Sequence, residues 1–206
     1  EFKYELTWEQ TNLISASVKE FEEECLRLGV ISVSLRKRDT PARAEDVHHA
    51  QTREQEDSSA KNRPEYDVTP GVLKDVALKY VMSWSYNEAH CRPDITVAIH
   101  DLQQRIVTWD KECDKGIIWL GGYLKHTQED GLTGIIDTRD FTPKMLCKEI
   151  FQSDASHAGC MDSRKSAAGY AIHLSGPNGT NVMLTWGRKK MTTISLSSVE
   201  SELFGL

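Results

Sequence analysis

Apolar positions along the chain repeat at two different periods, separated by a stretch that has almost none. Ile14, Val18, Phe21, Cys25 and Leu28 recur at intervals of four and three residues with Gly29 just beyond, which predicts an amphipathic helix closed by a glycine. Val30 to Leu35 has the length and character of a short strand. From Arg36 to Val68 the residues are charged, polar and proline-containing, so this stretch reads as a flexible linker. Order returns at Thr69-Pro70, where proline suits a helix's first turn, and Leu73, Val76, Tyr80, Val81 and Trp84 make a buried stripe. Pro93 opens a second helix carrying Ile95, Ile99, Leu102 and Ile106. Asp110 is the N-cap of a third, with Cys113, Ile117, Leu120 and Leu124. Trp84, Trp109 and Trp119 adjoin these stripes and lack interleaved basic residues, so they read as core and not as base-stacking platforms.

From Lys148 the period shortens. Lys148 to Asp154 is a short apolar run ending in a carboxylate, a strand leaving for a loop. Gly169 to Leu174 sets Tyr170, Ile172 and Leu174 on one face and Ala171 and His173 on the other. Asn178-Gly179 is a hairpin signal, because both turn positions tolerate positive φ, and Val182, Leu184 and Trp186 supply the returning strand. Ser197 and Glu200 form a capping box, and Leu196, Val199, Leu203 and Leu206 then repeat at three and four residues, which opens a helix with one buried stripe. The predicted fold class is α+β: a helical segment over 1–35, a polar linker over 36–68, a helical unit over 69–130, and a three-stranded antiparallel meander with the start of a helix over 131–206.

Composition changes this picture little. Hydrophobic residues make up 39% and charged residues 27% of the 206, an ordinary globular balance, and the net charge of −6 argues against a dedicated nucleic-acid coat. Cys25, Cys91, Cys113, Cys147 and Cys160 are scattered, odd in number and without a Cys-x-x-Cys pair, so they read as reduced thiols of an intracellular protein, cytoplasmic or nuclear, and not as a zinc site. No apolar run reaches the roughly 18 residues of a membrane span, so no membrane partner is expected. The absence of an initial Met reads as an internal piece of something longer. His48 and His49 lack partner ligands at metal spacing and read as exposed.

Chemistry concentrates in the last third. Glu200 and Glu202 lie some 200° apart around a helix, so one site can use only one of them. Glu202 borders the apolar stripe while Glu200 serves the cap, which makes Glu202 the carboxylate expected to face the sheet near Asp154. Two such acids over a sheet suit divalent-metal phosphoryl chemistry, since Mg²⁺ or Mn²⁺ takes hard oxygen ligands. The bland readings stand beside this one: Asp154 as a strand-end carboxylate, Glu202 as an acid favoured by the helix macrodipole, Asp162 as a loop charge and His157 as an exposed loop histidine. Arg164, Lys165, Arg188, Lys189 and Lys190 are either phosphate contacts or a solvated rim.

Four blocks carry a resemblance: Ser153-Asp154-Ala-Ser-His-Ala-Gly159, Asp162 to Tyr170, Leu184-Thr-Trp-Gly-Arg-Lys-Lys190, and Leu196-Ser-Ser-Val-Glu-Ser-Glu202. In order and spacing they resemble the ribonuclease H segment of copia-type retrotransposon Pol polyproteins. Arg92-Pro-Asp-Ile95 with Tyr123-Leu-Lys-His-Thr127 and Gly131-Leu132 resembles the connection between polymerase and ribonuclease H, and Ile14 to Pro41 resembles the thumb-proximal helix. The resemblance implies that Asp154 and Glu202 are the first two catalytic metal ligands of a truncated ribonuclease H-like fold. Its cofactor would be Mg²⁺ or Mn²⁺, and its partners an RNA/DNA hybrid and the rest of the polyprotein. His157, Ser156 and Ala167-Ala168 depart from the family pattern, and its third and fourth carboxylates lie beyond Leu206. No Tyr-x-Asp-Asp polymerase pair occurs. The expectation is therefore a fragment of a reverse transcriptase/ribonuclease H whose intact parent cleaves the RNA strand of a hybrid while the fragment itself does not. The alternatives are a degenerate, non-catalytic nucleic-acid- or protein-binding remnant, and an unrelated α+β interaction domain whose acids are coincidental.

Overall fold

The computed structural model describes residues 2–43, 69–156 and 166–192, together with 197, 199, 200 and 202. The expectations for most of the linker, for His48, His49, His157, Cys160, Asp162, Arg164 and Lys165, and for Leu196, Leu203 and Leu206 lie outside the described residues. Among the described residues the fold is mixed α+β, with four complete α-helices and a five-stranded antiparallel sheet. It divides into two compact units, one formed by Gln10–Asp130 and the other by Glu1–Glu9 with Gly131–Leu206.

The helical unit holds α1 (Thr11–Arg27), α2 (Lys74–His90), α3 (Thr96–Gln104), entered through a 3₁₀ turn at Pro93–Ile95, and α4 (Lys111–His126). The predicted stripes meet in one core: Ile14, Val18, Phe21 and Cys25 from α1 are buried with Tyr80, Val81 and Trp84 from α2, Ile99 and Leu102 from α3, and Cys113, Ile117, Leu120 and Leu124 from α4. Phe21 stands edge-on to Tyr80 at 4.9 Å and to Trp84 at 5.1 Å. A side chain on Gly121 would come within 2.9 Å of the Phe21 ring, so this glycine sets how closely α4 approaches α1. Gly29, at φ 69°, takes the left-handed turn that ends α1. Asp110 is the N-cap of α4, its carboxylate accepting from the Cys113 N–H at 2.9 Å.

Three local expectations are corrected. Val30 to Leu35 is a run of bends and not a strand, because side chains take up its polar groups. Leu35 is buried and its N–H donates to Glu22 Oε1 at 2.6 Å, while Lys125 donates to both oxygens of the same carboxylate at 2.8 Å. Burial works against the charge on Glu22, but Lys125, Ser34 and the Leu35 N–H outweigh it and lower its pKa. Next, α2 begins at Lys74 and not at Thr69: Pro70 bridges to Asp110, and the buried Asp114 carboxylate accepts from the N–H groups of Val72 (2.6 Å) and Leu73 (3.1 Å) and from the Trp109 indole (2.7 Å). A carboxylate from a distant helix thus does the capping that a local side chain usually does. Finally, Trp84 and Trp109 are core, but Trp119 is half-buried, with Arg38 stacked 3.9 Å from its ring centroid and its indole donating to the Thr40 carbonyl at 2.8 Å.

The sheet unit contains β1 (Lys3–Trp8), β2 (Leu132–Asp137), β3 (Lys148–Ser156), β4 (Ala167–Ser175) and β5 (Asn181–Lys190), in the order β1-β2-β5-β4-β3. The predicted meander is β3-β4-β5, and β1 and β2 extend it past β5. Its hairpin turn is Gly176 to Gly179, with Gly179 at φ 111° and the Gly176 N–H returning to the Thr180 carbonyl at 2.9 Å. A β-bulge between Ile172 and His173 breaks the alternation of β5, so Val182 and Trp186 fall on opposite faces. After β2 a 3₁₀ turn at Thr138–Asp140 delivers the buried Asp140, which accepts from Asn178 N (2.9 Å), Asn178 Nδ2 (2.8 Å) and Thr180 N (3.1 Å).

Candidate functional site

Cross-strand register divides the sheet into two chemically distinct faces. Asp154 on β3, Gly169 on β4 and Arg188 on β5 are aligned in one row, so Asp154 and Arg188 flank a residue without a side chain on the same face. Gln152, His173, Trp186 and Lys190 share this polar face, while Lys189 points to the other. The predicted basic group is therefore split by strand alternation: Arg188 and Lys190 are half-buried on one side and Lys189 is exposed on the other. Asp154 is exposed, and its carboxylate accepts from the N–H of its own neighbour Ala155 at 2.9 Å.

Ser197 caps the predicted helix, its hydroxyl accepting from the Glu200 N–H at 3.1 Å, and Val199, Glu200 and Glu202 are helical. Glu202 is exposed, Glu200 is half-buried and Val199 is 72% exposed. Among the described residues no hydrogen bond or ion pair joins Asp154 to Glu202, and no group of three or more His, Cys, Asp or Glu is disposed to hold a metal ion.

The opposite face is apolar. Register places Tyr4, Leu6 and Trp8 of β1 with Gly134 of β2, Val182 of β5, Ile172 and Tyr170 of β4, and Phe151 of β3. Gly134 lies under the Trp8 ring and against Val182, where a Cβ would come within 3.1 to 3.3 Å of both. Tyr170 covers Gly187 opposite it in the same way, at 2.9 Å. Despite this packing the aromatic groups stay open to solvent: Tyr4 is 57% exposed, Phe151 52%, Tyr170 40% and Trp8 38%. Four partly exposed aromatic side chains thus share one face of the sheet. The signal for β1 lies in the strict alternation of Phe2, Tyr4, Leu6 and Trp8 ahead of the first helical stripe.

The motif residues of the helical unit also converge. Arg92, 1% exposed, makes a bidentate pair with Asp94 (2.9 and 2.8 Å) and donates to the Thr127 carbonyl (2.7 Å) and hydroxyl (2.8 Å), while the Tyr123 hydroxyl donates to Asp94 at 2.8 Å. Burial opposes the charge on Asp94, but Arg92 and Tyr123 outweigh it and lower its pKa. This network locks the start of the 3₁₀ turn to the end of α4.

The chain is 37% identical over 115 residues to the secreted RxLR effector protein 161 of Plasmopara viticola, a match covering 56% of this chain and 72% of that protein. No family model matches, and no solved structure matches. The match overturns the resemblance to a copia-type Pol polyprotein, and with it the reading as a reverse transcriptase/ribonuclease H fragment or a remnant of one. The blocks that carried that resemblance have structural work of their own: Gly187 accommodates Tyr170, Ser197 caps Glu200, and Asp94, Tyr123 and Thr127 form one network around the buried Arg92.

Proposed function

The chain belongs to the family of that secreted RxLR effector, and we propose that it is itself a secreted effector acting by non-covalent binding to a protein partner. The observation that carries the effector reading is the match over most of the relative's length. The aromatic face of the sheet supports the mode of action, because exposed Tyr and Trp supply large, rigid contact area and are the residues enriched at interface hot spots. Tyr4, Leu6 and Trp8 lie side by side on its edge strand β1, each more than a third exposed. Secretion takes the place of the intracellular location expected from the cysteines. Among the described residues no helix is long and apolar enough to cross a membrane.

Two measurements on one protein test this. Antibody against the chain should find it in the medium of the organism that encodes it, and the purified chain should retain a protein that a Tyr4→Ala, Leu6→Ala variant of unchanged circular dichroism does not. Confinement to the cells, or equal retention by both forms, would sink the proposal.

A further inference from the structure

The sheet ends at β3, a nine-residue strand paired with β4 along its whole length and with nothing on its outer side among the described residues. Sheet edges are usually blunted by shortness, proline or a bulge. β3 has no proline, its charges lie at Lys148, Glu149 and Asp154 and not between Ile150 and Ser153, the sheet's irregularity lies between β4 and β5, and Ile150 and Phe151 at its middle are 43% and 52% exposed. β1, the other edge, is only six residues long.

We propose that a second copy of this chain pairs with β3 across a two-fold axis at Phe151, joining two sheets into one. The inference is independent of the effector reading. It rests on self-complementarity, since an antiparallel strand can pair with itself only if its sequence is compatible with its own reversal. With Phe151 opposite Phe151 of the second copy, Glu149 faces Ser153, Ile150 faces Gln152 and Lys148 faces Asp154 of the second copy, twice over by symmetry. The neighbouring registers lose this match, setting Glu149 against Phe151 or Ile150 against Asp154.

The backbone agrees. The Ala155 N–H donates to the Asp154 carboxylate at 2.9 Å, which assigns the outward peptide groups to the odd-numbered residues, because successive N–H groups alternate sides of a strand. In the proposed register Phe151 opposite itself and Glu149 opposite Ser153 are then the hydrogen-bonded pairs, giving about six backbone bonds. Lys148 and Asp154 fall at the non-hydrogen-bonded positions, where side chains approach most closely and an opposite-charge pair contributes most. Both lie on the polar face, so pairing also continues the aromatic face unbroken from one copy to the next.

Sedimentation equilibrium of the intact chain across the micromolar range tests this, since an interface of one strand pair lies at the weak end of specific association. The mass should rise from one chain to two with concentration. Lys148→Glu should weaken the dimer about tenfold through its two symmetric pairs, and Lys148→Glu with Asp154→Lys should restore it. Phe151→Pro removes an outward donor and leaves the bonds to β4, so it should give a monomer of unchanged circular dichroism. A single-chain mass at every concentration, a dimer indifferent to Lys148→Glu and Phe151→Pro, failure of the charge swap to rescue, or open-ended assembly would each overturn the proposal.

Discussion

The carboxylate of Asp140 grips Asn178 twice, through its backbone N–H and its side-chain amide, and so ties the end of β2 to the turn between β4 and β5. Burial disfavours its charge, but the Thr180 side chain and the donors of Asn178 and Thr180 outweigh that effect and hold the pKa at about 2, against an ordinary 3.8. A depressed carboxyl stabilises the fold fully above its unfolded value and loses that contribution as pH falls through the folded one. The contribution of Asp140 to the sheet unit should therefore be constant from neutral pH to about 4 and be lost between about 4 and about 2. Thermal unfolding followed by β-sheet circular dichroism should show this drop, and Asp140→Asn should be less stable at neutral pH with a smaller drop below pH 4.

Gly176 lies so close to the Asp140 carboxylate that any Cβ would collide with it. Gly176→Ala should cost about 3 kcal/mol in urea unfolding, at the upper end of ordinary overpacking because backbone and a buried carboxylate have little room to move. A loss below about 1 kcal/mol would mean that the turn relaxes freely.

Arg92 is the largest charged group in the helical core. Arg92→Ala leaves Asp94 and Thr127 without their donor and should destabilise that unit by about 3 kcal/mol, while Arg92→Lys should recover less than half because an ammonium cannot reproduce the forked contact. Urea midpoints of the three proteins, followed by helical circular dichroism, give the comparison.

Thiol chemistry separates the buried cysteines from Cys147. Burial first, then nearby carboxylates, pushes Cys25 up to about 12, and burial likewise raises Cys113 to about 11. Alkylation at pH 8 resolved by mass spectrometry should label the half-buried Cys147 within minutes and leave Cys25, Cys91 and Cys113 untouched until denaturant is added. Rapid native labelling of Cys25 would show that α1 opens locally.

The helical unit could be read from the chain almost residue by residue, because Ile14, Trp84, Ile99 and Leu120 each belong to a 3.6-residue stripe that local periodicity reveals. The β3-β4-β5 meander was equally visible, its turn announced by Asn178-Gly179. Long-range polar bonds were not: nothing near Leu73 shows that Asp114 will cap it, and nothing near Asn178 shows that Asp140 will hold its turn. Asp154 and Glu202 stood out because acidic residues near a strand end and a helix start match a metal-site pattern. That pattern gives residue types and their order along the chain, and not the distance between the two carboxylates. The aromatic face escaped notice because its members come from β1, β3 and β4, and only register shows that Tyr4, Phe151 and Tyr170 share a side.

Trp8 pairs directly with Leu132, and Gly131 sits so tightly against the Trp8 carbonyl that a side chain there would collide with it. The helical unit is thus spliced into what would otherwise be a plain hairpin between β1 and β2. During synthesis β1 leaves the ribosome before the helices yet has no β2 to pair with until the whole helical unit has been translated, so the helices have time to assemble while that strand waits.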